Sequence, residues 1–150
     1  MQLPARTHYA TLALLELAAK QDSPAPVTVR EITAKFDIPG PFLVQILRNL
    51  RSVGWVQSTR GSQGGYRLAT DPQKLTLLEI IETLGSSEAT CTGLANGQSS
   101  TDASAAKGEE QLLQQAWEEA ASAWRAVLAK TTIADILERA SQSDQAMFYI

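Results

Sequence analysis

Arg60-Gly61-Ser62-Gln63-Gly64-Gly65-Tyr66-Arg67-Leu68-Ala69 decides how the rest of this chain is read. Two strand-like runs, Trp55 to Thr59 and Tyr66 to Ala69, flank a turn holding three glycines. Glycine admits positive φ and close backbone approach, so the tip of such a hairpin is narrow enough to enter a DNA groove. Arg60 at its root would place a guanidinium among phosphates or in a narrow minor groove. A hairpin of this kind directly after a helix-turn-helix is a wing.

The preceding residues supply the helices. Thr7 to Lys20 reads as a first helix with Tyr9, Leu12, Ala13, Leu15, Leu17 and Ala18 toward a core, broken by Gln21-Asp22-Ser23-Pro24-Ala25-Pro26. Thr28-Val29-Arg30-Glu31 has the capping-box pattern, which predicts a short second helix from Val29 to about Phe36. Asp37 to Gly40 is a turn, and Pro41 suits the first position of a third helix. That helix continues to Val53, with Gly54 in a left-handed C-terminal cap. Phe42, Leu43, Ile46, Leu47 and Leu50 recur at helical spacing and should pack inward.

Pro41, Val44, Gln45, Arg48, Asn49 and Ser52 fall mostly on the other face of this third helix. Gln45 pairs in principle with adenine, Arg48 with guanine or a phosphate, and Val44 with a thymine methyl. A polar outer face is by itself common in amphipathic helices. The hairpin that follows is what turns this face into a recognition surface. The candidate DNA-contacting residues are Thr28, Pro39, Pro41, Val44, Gln45, Arg48, Ser58, Arg60, Gly61, Gly64, Gly65 and Tyr66.

Charge agrees once the chain is divided. The formal net charge is -3. Residues 1–75 nevertheless carry nine basic and five acidic side chains (+4), and residues 76–150 carry four basic and eleven acidic ones (-7). Phosphate contacts therefore belong to the first half. A single cysteine excludes an internal disulfide and fits a reducing cytoplasm. The apolar run Tyr9 to Ala19 is interrupted by Glu16, and no stretch approaches the roughly 20 apolar residues of a membrane span.

The second half reads as a dimerisation arm. Thr76-Leu77-Leu78-Glu79 is another capping box opening a helix to Leu84, closed by Gly85. Three units follow: a winged helix-turn-helix over 1–84, a flexible effector-type loop over 85–108, and a dimerisation helix with C-terminal tail over 109–150. In a long helix from Glu109 to Lys130, Leu113, Trp117, Ala120, Trp124 and Val127 recur at alternating spacings of 4 and 3. That is the seam of paired helices, the alternative being a seam packed against its own domain. Thr132 to Asp135 opens a last helix to about Ala140, with Ile136 and Leu137 inward, and Gln142 to Ile150 forms a frayed end. The expected fold is mainly α with a small β-hairpin wing.

The run Phe42-Leu43-x-Gln45-Ile46-Leu47-x-x-Leu50-x-x-x-Gly54-x-Val56-x-Ser58-x-Arg60-Gly61-x-x-Gly64-Gly65-Tyr66-x-Leu68-Ala69 resembles the Rrf-two family of bacterial transcription regulators. Met1-x-Leu3, Tyr9-Ala10 and the segment from Asp71-Pro72 to Ile81 are similar as well. The resemblance is close over roughly residues 1–84 and rests on pattern alone beyond. It implies a homodimeric repressor on double-stranded DNA with a palindromic operator. Recognition helices would enter successive major grooves and wings the minor grooves. By position Arg60 is the family's wing arginine, and Val44 and Gln45 are its base-reading residues. An acidic residue stands in place of Val44 in the family's iron–sulfur regulator, so operator preference does not transfer from it.

The resemblance also locates a departure. Cluster-binding members carry three cysteines in the loop before the dimer helix, whereas Ser86 to Gly108 holds only Cys91. Iron–sulfur clusters normally need four protein ligands. His8 is a further candidate, because the family draws a ligand from the partner's first helix, yet two ligands do not hold a cluster. No cofactor or metal site is expected. Cys91 is either a redox-responsive thiol or an inert loop cysteine, and His8 either a sensor partner or a helix cap. An enzyme is not expected, since no Ser/His/Asp set, phosphate loop or paired acid site is present. The alternative class is a winged-helix interaction module that binds a metabolic enzyme or other protein.

Overall fold

The computed structural model describes residues 3–85 and 106–147. Among them the order is α1 (Ala5–Ala19), α2 (Val29–Phe36), α3 (Gly40–Ser52), β1 (Val56–Thr59), β2 (Gly65–Leu68), α4 (Leu77–Leu84), α5 (Ala106–Lys130) and α6 (Ile133–Met147). Residues 1–2, 86–105 (Cys91 among them) and 148–150 lie outside this description.

Local chemistry explains the element ends. At α2 the Glu31 amide donates to the Thr28 hydroxyl at 3.3 Å, and the Thr28 amide donates to the Glu31 carboxylate at 2.7 Å. The same reciprocal box opens α4, through Thr76 and Glu79. Helix α3 begins one residue early, at Gly40, and ends in a Schellman turn. Its Trp55 amide donates to the Leu50 carbonyl and its Gly54 amide to that of Arg51, both at 3.0 Å, with Gly54 at φ +88°. The turn throws Trp55 onto the core and launches β1 directly from the end of α3.

β1 and β2 pair antiparallel in the register Val56–Leu68, Gln57–Arg67, Ser58–Tyr66 and Thr59–Gly65. A contact not visible in the sequence extends this hairpin. The Tyr66 amide donates to the Val27 carbonyl at 2.7 Å and the Val27 amide donates back to Tyr66 at 2.9 Å, so Val27 serves as a one-residue third strand.

The core is built around α1, which packs against α2, α3, α4, α6 and β2. This central position changes which of its residues are inside. Ala10, Ala13, Leu14 and Leu17 are buried together with Thr7 and Glu16, while Tyr9, Leu12 and Leu15 are only partly covered. A helix surrounded on several sides buries a wider arc than a one-sided stripe implies.

Three further expectations are corrected and one is refined. Phe42 is 37% exposed, because it sits about a quarter turn from the middle of the buried stripe of α3, where its ring pairs T-shaped with Tyr9. Gly85 closes α4 as expected, in an extended conformation at φ -66°. Helix α5 starts at Ala106, three residues before the expected Glu109. Helix α6 runs to Met147, well past Ala140. No proline or glycine stands between Ile133 and Met147, so nothing local stops it.

Candidate nucleic-acid interface

Helix α3 sorts its side chains as an amphipathic helix must. Leu43, Ile46, Leu47 and Leu50 are 1% exposed or less, which turns Pro41, Gln45 and Arg48 outward. Val44 is half-buried, at the edge of that outer face. Pro39 is exposed and stands at the N-cap of α3, with no side-chain hydrogen bond to the helix. Asn49 is half-covered, with its Nδ2 enclosed and unpartnered, so it is less accessible than its helical position implied.

The hairpin lies beside this face. Arg51, on the last turn of α3, donates from Nη1 to the Ser58 hydroxyl on β1 at 3.0 Å. The bond ties the outward side of the helix to the wing and occupies Ser58. Arg51 is absent from the residues picked out by sequence, although its position three after Arg48 was the available signal. At the tip Arg60 and Gly61 are exposed, and Gly61 has φ +116°.

Several residues picked out for DNA have an internal task. Thr28 is exposed, yet its hydroxyl serves the α2 cap. A Cβ on Gly64 would collide with the Thr59 carbonyl oxygen, and one on Gly65 would lie 2.6 Å from that of Val27. These glycines let the hairpin close and dock. Tyr66 is half-buried against the core, and its backbone holds Val27. Arg67 clamps the wing to the α1–α2 connection by donating to the Ser23 carbonyl at 2.8 Å and to that of Pro24.

Electrostatics separates two sets of cations. Lys20 and Lys35 are engaged by the buried Glu16 at 3.2 and 2.5 Å, and Lys20 also meets Glu31 at 3.1 Å. Burial pushes the Glu16 carboxyl upward, but the hydrogen bonds from Lys35 and Lys20 outweigh it and leave its pKa lowered. The Thr28 amide and hydroxyl, helped by Lys20, bring Glu31 down to about 2. None of the ion pairs among the described residues engages Arg48, Arg51 or Arg60. Positive charge is thus left uncompensated on α3 and at the wing.

The expected dimer seam is outward. Leu113, Trp117 and Val127 are 55%, 44% and 64% exposed, and Ala120 is exposed as well. Only Trp124 is half-buried, with its Nε1 enclosed and unpartnered. The seam therefore does not pack wholly against its own domain. His8 is exposed on the first turn of α1 beside Tyr9, with ring centroids 5.8 Å apart. Among the described residues no helix is long and apolar enough to cross a membrane, and no group of His, Cys, Asp and Glu is placed to hold a metal ion.

A winged helix-turn-helix carrying free arginines on its third helix and hairpin belongs to the class of DNA-binding transcription regulators. Residues 3–139 match the family model Rrf2, described as an iron-dependent transcriptional regulator. The transcriptional regulator IscR of Cereibacter sphaeroides is 30% identical over 139 residues, covering 92% of this chain and 88% of the relative. A putative helix-turn-helix regulator from Synechocystis is 40% identical over 84 residues, 56% of either chain. Matches of this second kind span only about half the length of the relatives concerned. Among solved structures, T. potens IscR superposes with a TM-score of 0.72 at 28% identity, covering 95% of this chain and 90% of that one. Bacillus subtilis CymR, titled a global cysteine regulator, gives 0.71 at 25% identity, covering 93% and 98%. The chain belongs to the Rrf2 family, a family of transcription regulators and not of enzymes.

Proposed function

We propose that this protein is a sequence-specific DNA-binding repressor that works in the cytoplasm as a homodimer on a palindromic operator. The observation that carries the reading is the Arg51–Ser58 bond, which sets the exposed Gln45 and Arg48 beside the wing that ends in Arg60. Phosphate contacts from the arginines position the protein, and base-edge contacts from Val44, Gln45 and Arg48 choose the site. The uncovered face of α5 supports self-association, and a two-fold dimer would read two inverted half-sites about one helical turn apart. Repression follows from a dimer that covers promoter DNA.

The donor set does not fit an iron–sulfur cluster. The sequence holds one cysteine and one histidine, short of the four ligands such a cluster normally takes. We therefore assign no resident cluster, whatever the family description implies of other members. Cys91 remains the one thiol through which an oxidant would act.

Gel-shift titrations at several salt concentrations test the reading. Arg60→Ala should weaken binding to every duplex and reduce the log–log salt slope of the dimer by about 1.8, the value of two phosphate contacts, one from each protomer. Gln45→Ala should lose preference among operator variants while keeping its affinity for random DNA. Unchanged affinity and slope for Arg60→Ala would remove the wing from the interface. A wild-type chain that ignores DNA at low salt, yet captures a protein, would favour the interaction-module alternative.

A further inference from the structure

The turn between α5 and α6 is stitched to the residues before α4, and DNA reading as described makes no use of that seam. Thr76 and Thr132 face each other as an antiparallel bridge. The Leu77 amide donates to the Thr131 carbonyl at 2.9 Å, the Ile133 amide to Leu75 at 3.0 Å, and the Ala134 amide to Pro72 at 3.1 Å. Both bridge residues cap a helix. The Thr76 hydroxyl accepts from the Glu79 amide at 3.2 Å, with the Thr76 backbone extended at φ -87° and ψ 155°. The Thr132 hydroxyl accepts from the Asp135 amide at 3.1 Å, and the Asp135 carboxylate accepts from the Thr132 amide at 2.8 Å.

This pairing has a simple physical origin. A helix cap needs extended backbone angles while its side chain serves its own helix. Two caps set side by side therefore leave neighbouring amides and carbonyls free to join as the smallest piece of sheet. Ile133, fully buried beneath the bridge, anchors it to the core. A second tether, the Arg125–Glu82 ion pair at 2.5 Å, fastens α5 to α4 itself. The long helix thus leaves the DNA-reading body at an angle held from two points.

That angle matters because α5 is a lever. Its 25 residues span roughly 37 Å at about 1.5 Å each. A tilt of roughly 5° at its base moves the far end by about 3 Å, close to the ~3.4 Å rise of one base step. Resting on the homodimer reading above, we infer that the Thr76–Thr132 cap pair sets the half-site separation that the dimer accepts. Thr132 and Asp135 are then positioning residues for operator geometry, acting through the seam and not through base contacts.

The test uses the full-length dimer and duplexes carrying the half-site enriched by in vitro selection, with the separation varied by one or two base pairs. Wild type should lose about tenfold in affinity away from its best spacing. Thr132→Val and Asp135→Ala should lose affinity at the best spacing and little elsewhere, cutting that contrast to about twofold, while binding to a single half-site stays unchanged. Thr132→Ser keeps the hydroxyl and should restore the wild-type profile. Glu82→Gln, at the second tether and away from the cap, should flatten the profile in the same sense. Variants that keep the wild-type spacing profile overturn the proposal and leave the homodimer reading intact, as does a uniform loss across all spacings and the half-site. A wild-type chain indifferent to spacing fails the homodimer reading first, and the proposal with it.

Discussion

Helices α3 and α5 carry the same kind of apolar stripe and meet opposite fates. In α3 the stripe Leu43, Ile46, Leu47 and Leu50 is 1% exposed or less, whereas in α5 Leu113, Trp117 and Val127 are 55%, 44% and 64% exposed. Their surroundings make the difference. Helix α3 lies among α1, α2 and β1, while α5 meets the body chiefly through α4. A periodic stripe therefore reports that a helix wants a partner, and says nothing of whose partner it is. On α3 the covered stripe turns the polar face outward; on α5 the stripe itself is left uncovered.

The largest effect on stability should come from the covered stripe. Leu47→Ala removes a fully buried side chain from α3 and should cost about 2–5 kcal/mol, read as a lower urea midpoint. A loss below about 1 kcal/mol would place α3 among lightly packed helices and dissolve the contrast with α5. Next comes the wing that α3 launches. Gly65→Ala puts a Cβ 2.6 Å from the Val27 carbonyl oxygen, an overpacking expected to cost about 1–3 kcal/mol. Amide exchange at Val27 and Tyr66 should quicken in that variant before exchange in α1 does. Equal protection throughout would mean that the wing is not held by that bridge.

Acid should loosen α2 against α1, on the reader's side of the comparison. Glu16 and Glu31 both have folded pKa values below the ordinary carboxylate value of 4.5. Their stabilisation is therefore present above that value and lost as the pH falls from 4.5 toward about 2, where Glu31 titrates. The melting temperature should be level near neutrality and decline through that acid window. Glu16→Gln should blunt the decline; an undiminished acid slope would assign the loss to other carboxylates.

The smallest change in protomer stability is expected on α5. Trp117→Ala should alter it by no more than about 0.5 kcal/mol, since the side chain is already 44% exposed. Sedimentation should nevertheless show the proposed homodimer giving way to monomer. An unchanged mass would mean that the stripe waits for some other partner.

Residues whose causes lie close by in the chain were legible from the start. The Thr28–Glu31 and Thr76–Glu79 boxes both form, Gly54 takes the left-handed cap, and α2 spans Val29–Phe36 as expected. Capping and periodicity depend on neighbours three or four positions away, so the order of residues carries them. Gly64 and Gly65 illustrate a partial reading: the turn was evident, but what demands glycine there is the backbone they approach.

What the amino-acid order determined is thus the inventory of elements, the inward face of α3 from Leu43 onward, and the membership of the Rrf2 family. The tertiary structure alone decided which distant groups meet: Arg67 with Ser23 and Pro24, Val27 with Tyr66, Lys35 with Glu16, Arg51 with Ser58, and Thr76 with Thr132. It also decided that Phe42 stays near the surface while Leu14 and Glu16 go inside. Such partnerships depend on how whole helices pack around α1, and a local pattern fixes only the face a residue presents, never the neighbour waiting there.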